Sequence, residues 1–330
     1  MRMMYILGID VAKQTFDATV QTATGIHHYQ AFPNTPEGFA QLNTWLTQLG
    51  IRQVHACMEA TNIYWEALSM WLYERGHTVS VVNPARIKGY AQVQMQRNKT
   101  DKLDSAIIAS FCATHKPDAW QPMSEAQRQL RDLVRYRDDL LQTRLQQQHR
   151  LRDTTNAVVR QSLEALLTVI ATQLEEVQEA IDKHIKAHKE LRTNVQLLTS
   201  IVGIGQITAM KLVAEFAAID QYDSARSAAA DTGVTPSHDE SGTSVRRRSR
   251  MSNMGNVNLR AALYWPAITA MTHCPSFKAC AARLLANNKP NNVIIGAVMR
   301  KLVHIIYGVL KHQTPYDPAK VLGPSASTSC

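Results

Sequence analysis

Four carboxylates in the first third of the chain, Asp10, Glu59, Asp101 and Asp104, are spaced so that three separate elements would deliver them to one place. Asp10 closes the apolar run Tyr5-Ile6-Leu7-Gly8-Ile9, and Glu59 follows a second apolar run from Val54 to Met58. Asp101 and Asp104 stand three apart at the start of an amphipathic stretch, which puts both on one helical face. Converging acids are the ligand type that hard Mg²⁺ requires. Two metals on such a cluster clamp the attacking and leaving oxygens of a phosphodiester. The N-terminal third therefore points to nucleic acid chemistry.

A second candidate lies far along the chain. Residues 232–260 are rich in Gly, Ser and Arg, too polar for a core and too basic for a neutral linker. Within them Ser241 stands between Glu240 and Gly242, shortly before Arg246, Arg247, Arg248 and Arg250, with Arg260 further on. A serine hydroxyl is a poor nucleophile unless its surroundings activate it. Guanidiniums would do so by holding a phosphate bidentately and stabilising its transition state. Composition alone leaves Ser241 an ordinary loop serine. Upstream, Ser200-Ile201-Val202-Gly203-Ile204-Gly205 opens a helix running to about Phe216. Gly203 and Gly205 would expose backbone N–H groups at the positive end of that helix, a phosphate site. The turn resembles the hairpin of helix-hairpin-helix DNA-binding modules, and a plain tight turn is the competing reading.

The charge distribution supports a polyanion partner. The 330 residues carry a net charge of +9. Residues 1–122 hold 10 Lys/Arg against 9 Asp/Glu, residues 123–195 hold 12 against 11, and residues 196–330 hold 14 against 7. From Ser241 to Tyr316 there are 11 Lys/Arg and no acid, whereas a merely solvated face interleaves both signs. The five cysteines (Cys57, Cys112, Cys274, Cys280, Cys330) form no CxxC pair and no zinc spacing, and read as reduced core thiols of a cytosolic protein. The N-terminal apolar run is short and ends at Asp10, so no signal peptide is expected. No stretch is expected to approach the roughly 18 apolar residues of a membrane span.

Around the acids, strands are predicted at 4–11, 15–22, 26–32, 54–58 and 78–82, with helices over 36–49 and 64–74. Asn83-Pro84 stops the fifth strand, and the next helix begins near Asp101. The order β-β-β-α-β-α-β-α, with the acids where they fall, resembles an RNase H-like fold. Residues 124–192 contain no Gly or Pro. Leu163, Leu167, Ile170, Leu174, Val177 and Ile181 step by 4, 3, 4, 3, 4, a heptad seam whose register continues through His184, His188 and Leu191. Two histidines four apart are too few for a metal site, so they read as polar seam residues. Three segments result: a domain over 1–122, a coiled-coil linker or dimerisation segment over 123–195, and a mainly α C-terminal domain over 196–330.

Several motifs are similar to the DEDD transposases of the insertion-sequence family one-hundred-ten. They are GID at 8–10, MEAT at 58–61, VNPAR at 82–86, RNKTDKLDSAIIA at 97–109, SIVGIG at 200–205, GVTPSHDESGTSVR at 233–246 and LRAALY at 259–264. The match runs through nearly the whole chain in order. The resemblance implies an RNase H/RuvC-like domain holding Mg²⁺ on Asp10, Glu59, Asp101 and Asp104, and a C-terminal transposase domain whose nucleophile is Ser241. Serine and acids fall in different domains, so an active site using both must be composite. It further implies a bridge RNA that pairs with target and donor double-stranded DNA, and a dimer assembling to a tetramer. The expected location is the bacterial cytoplasm, on the nucleoid during recombination. The chain departs from the family's usual Pro at Val202, Gly at Arg247 and Asn62, and Ala at Ser105. None of these is a proposed catalytic side chain. Two rival functions remain: a RuvC-like junction nuclease that uses metal-activated water and forms no covalent intermediate, and a non-catalytic nucleic acid-binding protein.

Overall fold

The period-two runs near the N-terminus pair into one sheet in the computed structural model, which describes residues 5–22, 25, 27–60, 63–94, 100–237, 240–241, 245–246, 250–252 and 254–318. β1 (Tyr5–Val11), β2 (Thr15–Gln21) and β3 (His27–Pro33) form an antiparallel meander. β4 (Val54–Glu59) and β5 (Thr78–Val82) extend it in parallel beyond β1, giving the order β3-β2-β1-β4-β5. Side chains alternate across a sheet, so each face has its own cover. Leu7, Ile9, Phe16, Ala18 and Val20 are buried with Phe39 and Leu42 of α1 (Pro36–Gln48) and Leu68 and Leu72 of α2 (Glu66–Glu74). The face that carries Gly8 and Asp10 packs instead on a later helix.

Between β5 and that helix the structure holds an additional element, α3 (Pro84–Val93), where sequence spacing expects only a stop at Asn83-Pro84. Asn83 accepts the Ala85 N–H at 2.9 Å and Pro84 occupies the first helical position, so the dipeptide that ends the strand also starts a helix. α4 (Asp101–His115) follows, with Thr100 Oγ1 accepting the Leu103 N–H at 3.3 Å. The mixed sheet and its helices fit an RNase H/RuvC-like N-terminal domain.

The chain divides into two compact units, Met1–Pro122 and Met123–Cys330, so residues 123–195 lie within the second. There α5 (Glu125–Asp153) and α6 (Ala157–Ala187) fold back on each other through residues 154–156. Ile170 and Leu174 of the seam bury against Leu140, while Ile181 and Ile185 join Leu130 and Val134 in the main core. His184 Nε2 lies 2.7 Å from the Ala126 carbonyl and His188 Nδ1 lies 2.8 Å from the His184 carbonyl. The heptad register does not run on to Leu191: His188 is extended and α7 (Lys189–Thr199) starts afresh. The redirection lets Leu191, Val195 and Leu198 enter the core, a tertiary gain that the heptad pattern does not contain.

α8 (Gln206–Glu215), α9 (Ala225–Asp231), the two-residue strands β6 (Pro236–Ser237), β7 (Glu240–Ser241), β8 (Val245–Arg246) and β9 (Arg250–Met251), then α10 (Val257–His273), α11 (Pro275–Ala286) and α12 (Asn291–His312) complete this unit. The expectation that no stretch approaches a membrane span needs correction, because α12 is long and apolar enough to cross one. Val298, Leu302, Val303 and Ile306 are fully buried in the unit's core, so its apolar character serves packing. Cys57, Cys112, Cys274 and Cys280 are buried free thiols, and Cys330 lies outside the described residues.

Candidate active site

The acids meet because of where β1 ends and how closely α4 approaches it. Ile9 pairs with Met58 across the parallel strands β1 and β4, so Asp10 and Glu59 follow side by side at the strand ends. Gly8, on the Asp10 face, leaves room for the backbone of α4: a Cβ at that position would lie 2.2 Å from the Ser105 carbonyl oxygen and 2.3 Å from the Ala109 nitrogen. Thr19, opposite Gly8 in the register, joins its hydroxyl to that of Ser105 at 2.7 Å, both fully buried. The serine that stands in place of the family's usual alanine thus has a partner. With α4 held there, its first turn brings Asp101 and Asp104 to Asp10, and one ligand atom from each lies within 4.8 Å of the others. Asp10 and Asp104 are half-buried and Asp101 is exposed, so the cluster opens to solvent. Glu59 is not one of this close trio.

A further acid on this face is absent from the sequence-derived quartet. Asp17 pairs directly with Asp10 in the antiparallel register and is only 8% exposed. The Tyr29 hydroxyl donates to Asp17 Oδ1 at 2.5 Å, and Lys102 Nζ lies 5.4 Å from the centre of the Tyr29 ring. The hydrogen bond to Asp17, burial, and the charges of Asp17 and Asp101 push the Tyr29 phenol up to about 12, so it remains a donor at neutral pH. An acid in the middle of a strand was the available signal; its registry with Asp10 was not.

Three carboxylates within 4.8 Å, open on one side, suit a hard divalent cation, which takes oxygen ligands and keeps some of its waters. The donor set fits Mg²⁺.

In the second unit, β7 and β8 form an antiparallel pair in which Ser241 faces Val245 and Glu240 faces Arg246, while Arg250 of β9 pairs with Ser237 of β6. The backbone of the serine segment is thus paired strand. Arg247 and Arg248 lie outside the described residues. Gly203 adopts φ +95, and a Cβ there would come 2.6 Å from the Pro266 carbonyl oxygen of α10, so its lack of a side chain serves helix packing. Gly205 caps α8 with nothing within 4 Å of the place its Cβ would take. Among the described residues, the buried Arg260 Nη1 has no hydrogen-bond partner.

A DEDD transposase family model, described as a transposase of the IS110 type, matches residues 7–160, and the model of the transposase IS116/IS110/IS902 family matches residues 195–282. The pilin gene-inverting protein of Moraxella lacunata is 31% identical over 314 residues, covering 94% of this chain and 97% of that protein. The chain belongs to the IS110 family of transposases. Another relative of this IS110-family chain is the transposase for insertion sequence element IS1111A of Coxiella burnetii, 23% identical over 96% of this chain and 92% of its own. The solved RuvC of Thermus thermophilus aligns with 35% of this chain and 99% of its own at 13% identity and a TM-score of 0.27, too distant to bear on the site. Family membership makes the protein an insertion-sequence transposase, an enzyme of DNA recombination.

Proposed function

We propose that this IS110-family transposase cuts and rejoins DNA through a phosphoserine intermediate, guided by a structured RNA. The approach of Asp10, Asp101 and Asp104 carries the proposal, with Glu59 beside Asp10 as fourth acid. Mg²⁺ held there would neutralise the phosphate and hold it in line for attack. Ser241 Oγ attacks the phosphorus and the bond to the 3′ oxygen breaks. The serine proton passes to that oxygen, leaving a 3′-hydroxyl and a phosphoserine ester. One ester replaces another, so rejoining by a second 3′-hydroxyl needs no ATP. Relatives named for inverting a pilin gene support rejoining over hydrolysis, because inversion leaves no strand cut. Arg246, Arg247, Arg248, Arg250 and Arg260, in a stretch without acids, supply phosphate contacts, and the backbone N–H groups near Gly203 and Gly205 supply others. Guidance by bridge RNA and assembly of dimers into a tetramer rest on the motif resemblance.

The deciding test is a DNA-linked protein that survives denaturation. Wild-type protein with its co-purifying RNA, donor and target DNA and Mg²⁺ should form it. Ser241→Ala should bind both nucleic acids, form no adduct and yield no recombinant. Thr243→Ala, Ser244→Ala and Ser249→Ala, which lie outside the described residues, should remain active. Normal cleavage by Ser241→Ala would instead favour the hydrolytic junction nuclease.

A further inference from the structure

An open groove in the second unit lies between one face of α10 and one face of α12. Its volume is about 480 Å³, within the range of small-ligand pockets. Val257, Arg260, Tyr264 and Trp265 line it from α10, and Asn292 and Met299 from α12. Two properties of this groove are unusual for a surface serving only the fold. Trp265 is 70% exposed and Tyr264 41%, with their rings in edge-to-face contact at 5.5 Å. Val257 adds a further exposed apolar side chain, so the patch is contiguous rather than a scattered single residue.

We propose that this groove receives an unpaired base of a nucleic acid strand. An indole presented to solvent offers a stacking surface that every base can use. The Asn292 amide can donate and accept at a base edge, and Arg260, which also lines the groove, brings positive charge beside it. The groove is embedded in the stretch from Ser241 to Tyr316, which holds 11 Lys/Arg and no acid. Such a field attracts the backbone on either side of a stacked base. It also argues against a second copy of the chain as occupant, because an isologous contact would set two basic, acid-free stretches of chain against each other. The inference rests on the chain acting on nucleic acid and is independent of RNA guidance and of the phosphoserine step. DNA and RNA share the chemistry that the groove recognises.

The full chain should be titrated against fluorescently labelled single-stranded DNA, single-stranded RNA and duplex DNA of roughly ten nucleotides, within the usual span of single-strand sites. Trp265→Ala should weaken binding to at least one single strand by about tenfold, the loss of one stacked base, and leave duplex binding nearly unchanged. Trp265→Phe should restore most of the loss. The salt dependence should be unaltered by Trp265→Ala and shallower by about one unit of log–log slope in Arg260→Ala. A larger loss with RNA assigns the groove to the guide, and a larger loss with DNA to an unpaired DNA strand. Single-strand binding untouched by Trp265→Ala, or weakened no more than duplex binding, would overturn the groove assignment. So would Trp265→Ala changing the sedimentation of the free protein while binding stayed intact. If wild-type protein bound none of the probes, the wider nucleic acid reading would fall with it. Trp265 is exposed, so its replacement should leave thermal unfolding unchanged.

Discussion

Two carboxylate environments in this protein oppose each other. Asp10, Asp101 and Asp104 crowd together with an open side, whereas Glu215 is buried among donors. Like charges at such spacing repel unless a cation joins them. Asp10→Asn and Asp104→Asn should therefore abolish Mg²⁺ or Mn²⁺ binding by calorimetry and lower recombination at least about a hundredfold, with folding and RNA binding intact. Glu59→Gln should cost about 10–100-fold if Glu59 orients the trio rather than joining it. Full activity of Asp10→Asn in Mg²⁺ would remove the metal assignment. Glu215 accepts from Arg135 Nε and Nη2 at 2.6 and 2.9 Å, and from the side-chain amides of Asn256 and Asn258, each at 3.0 Å. Burial acts to raise its pKa, but the Arg135 and asparagine contacts outweigh it and hold the carboxyl below its usual value. A depressed folded value means the stabilisation is present above the ordinary carboxylate range and is lost as pH falls through the folded value. Glu215→Ala should cost about 1–3 kcal/mol in urea unfolding at neutral pH, because the side-chain amides of Asn256 and Asn258 lose their buried acceptor and the half-exposed Arg135 loses its bidentate partner. Glu215→Gln should flatten the acid limb of stability, and an unchanged limb would argue against this account.

At the scale of elements, the position of α4 decides whether the acids meet. It packs against a residue that has no side chain, Gly8, and the obstruction to a Cβ there is helix backbone that cannot rotate away. Gly8→Ala should displace α4, destabilise the first unit by about 1–3 kcal/mol and weaken divalent metal binding although all four acids remain. Calorimetry beside thermal unfolding checks both, and wild-type metal affinity in a folded Gly8→Ala protein would show that the helix approach does not set the site. Thr19→Val should act in the same direction, more mildly, by removing the strand-to-helix partner of the buried Ser105 hydroxyl, which keeps only its bond to the Lys102 carbonyl at 3.1 Å.

At the scale of the molecule, the hairpin of α5 and α6 carries Leu145, Leu166 and Val169 exposed, which the heptad seam does not use. These side chains suit association between protomers, in line with the proposed dimer. Leu166→Asp combined with Val169→Asp should weaken self-association in sedimentation by roughly tenfold or more, while the buried seam at Ile170 and Leu174 keeps the hairpin folded. Unchanged sedimentation would move the interface elsewhere.

The chain by itself determined the period-two strands, the heptad seam and the order in which the acids occur, because these depend on local alternation and on which residues follow which. It also carried the family motifs. It did not contain the approach of α4 to Gly8, the registry of Asp17 with Asp10, the break at His188 or the burial of α12. Those depend on contacts between residues far apart in sequence, and a pattern along one element does not state what the element will pack against. The α3 helix is the intermediate case: its cap and proline were local signals, but the same dipeptide also reads as a stop. Only the tertiary structure decided between them, because Tyr90 of that helix packs on Phe111 of α4, with ring centres 5.6 Å apart.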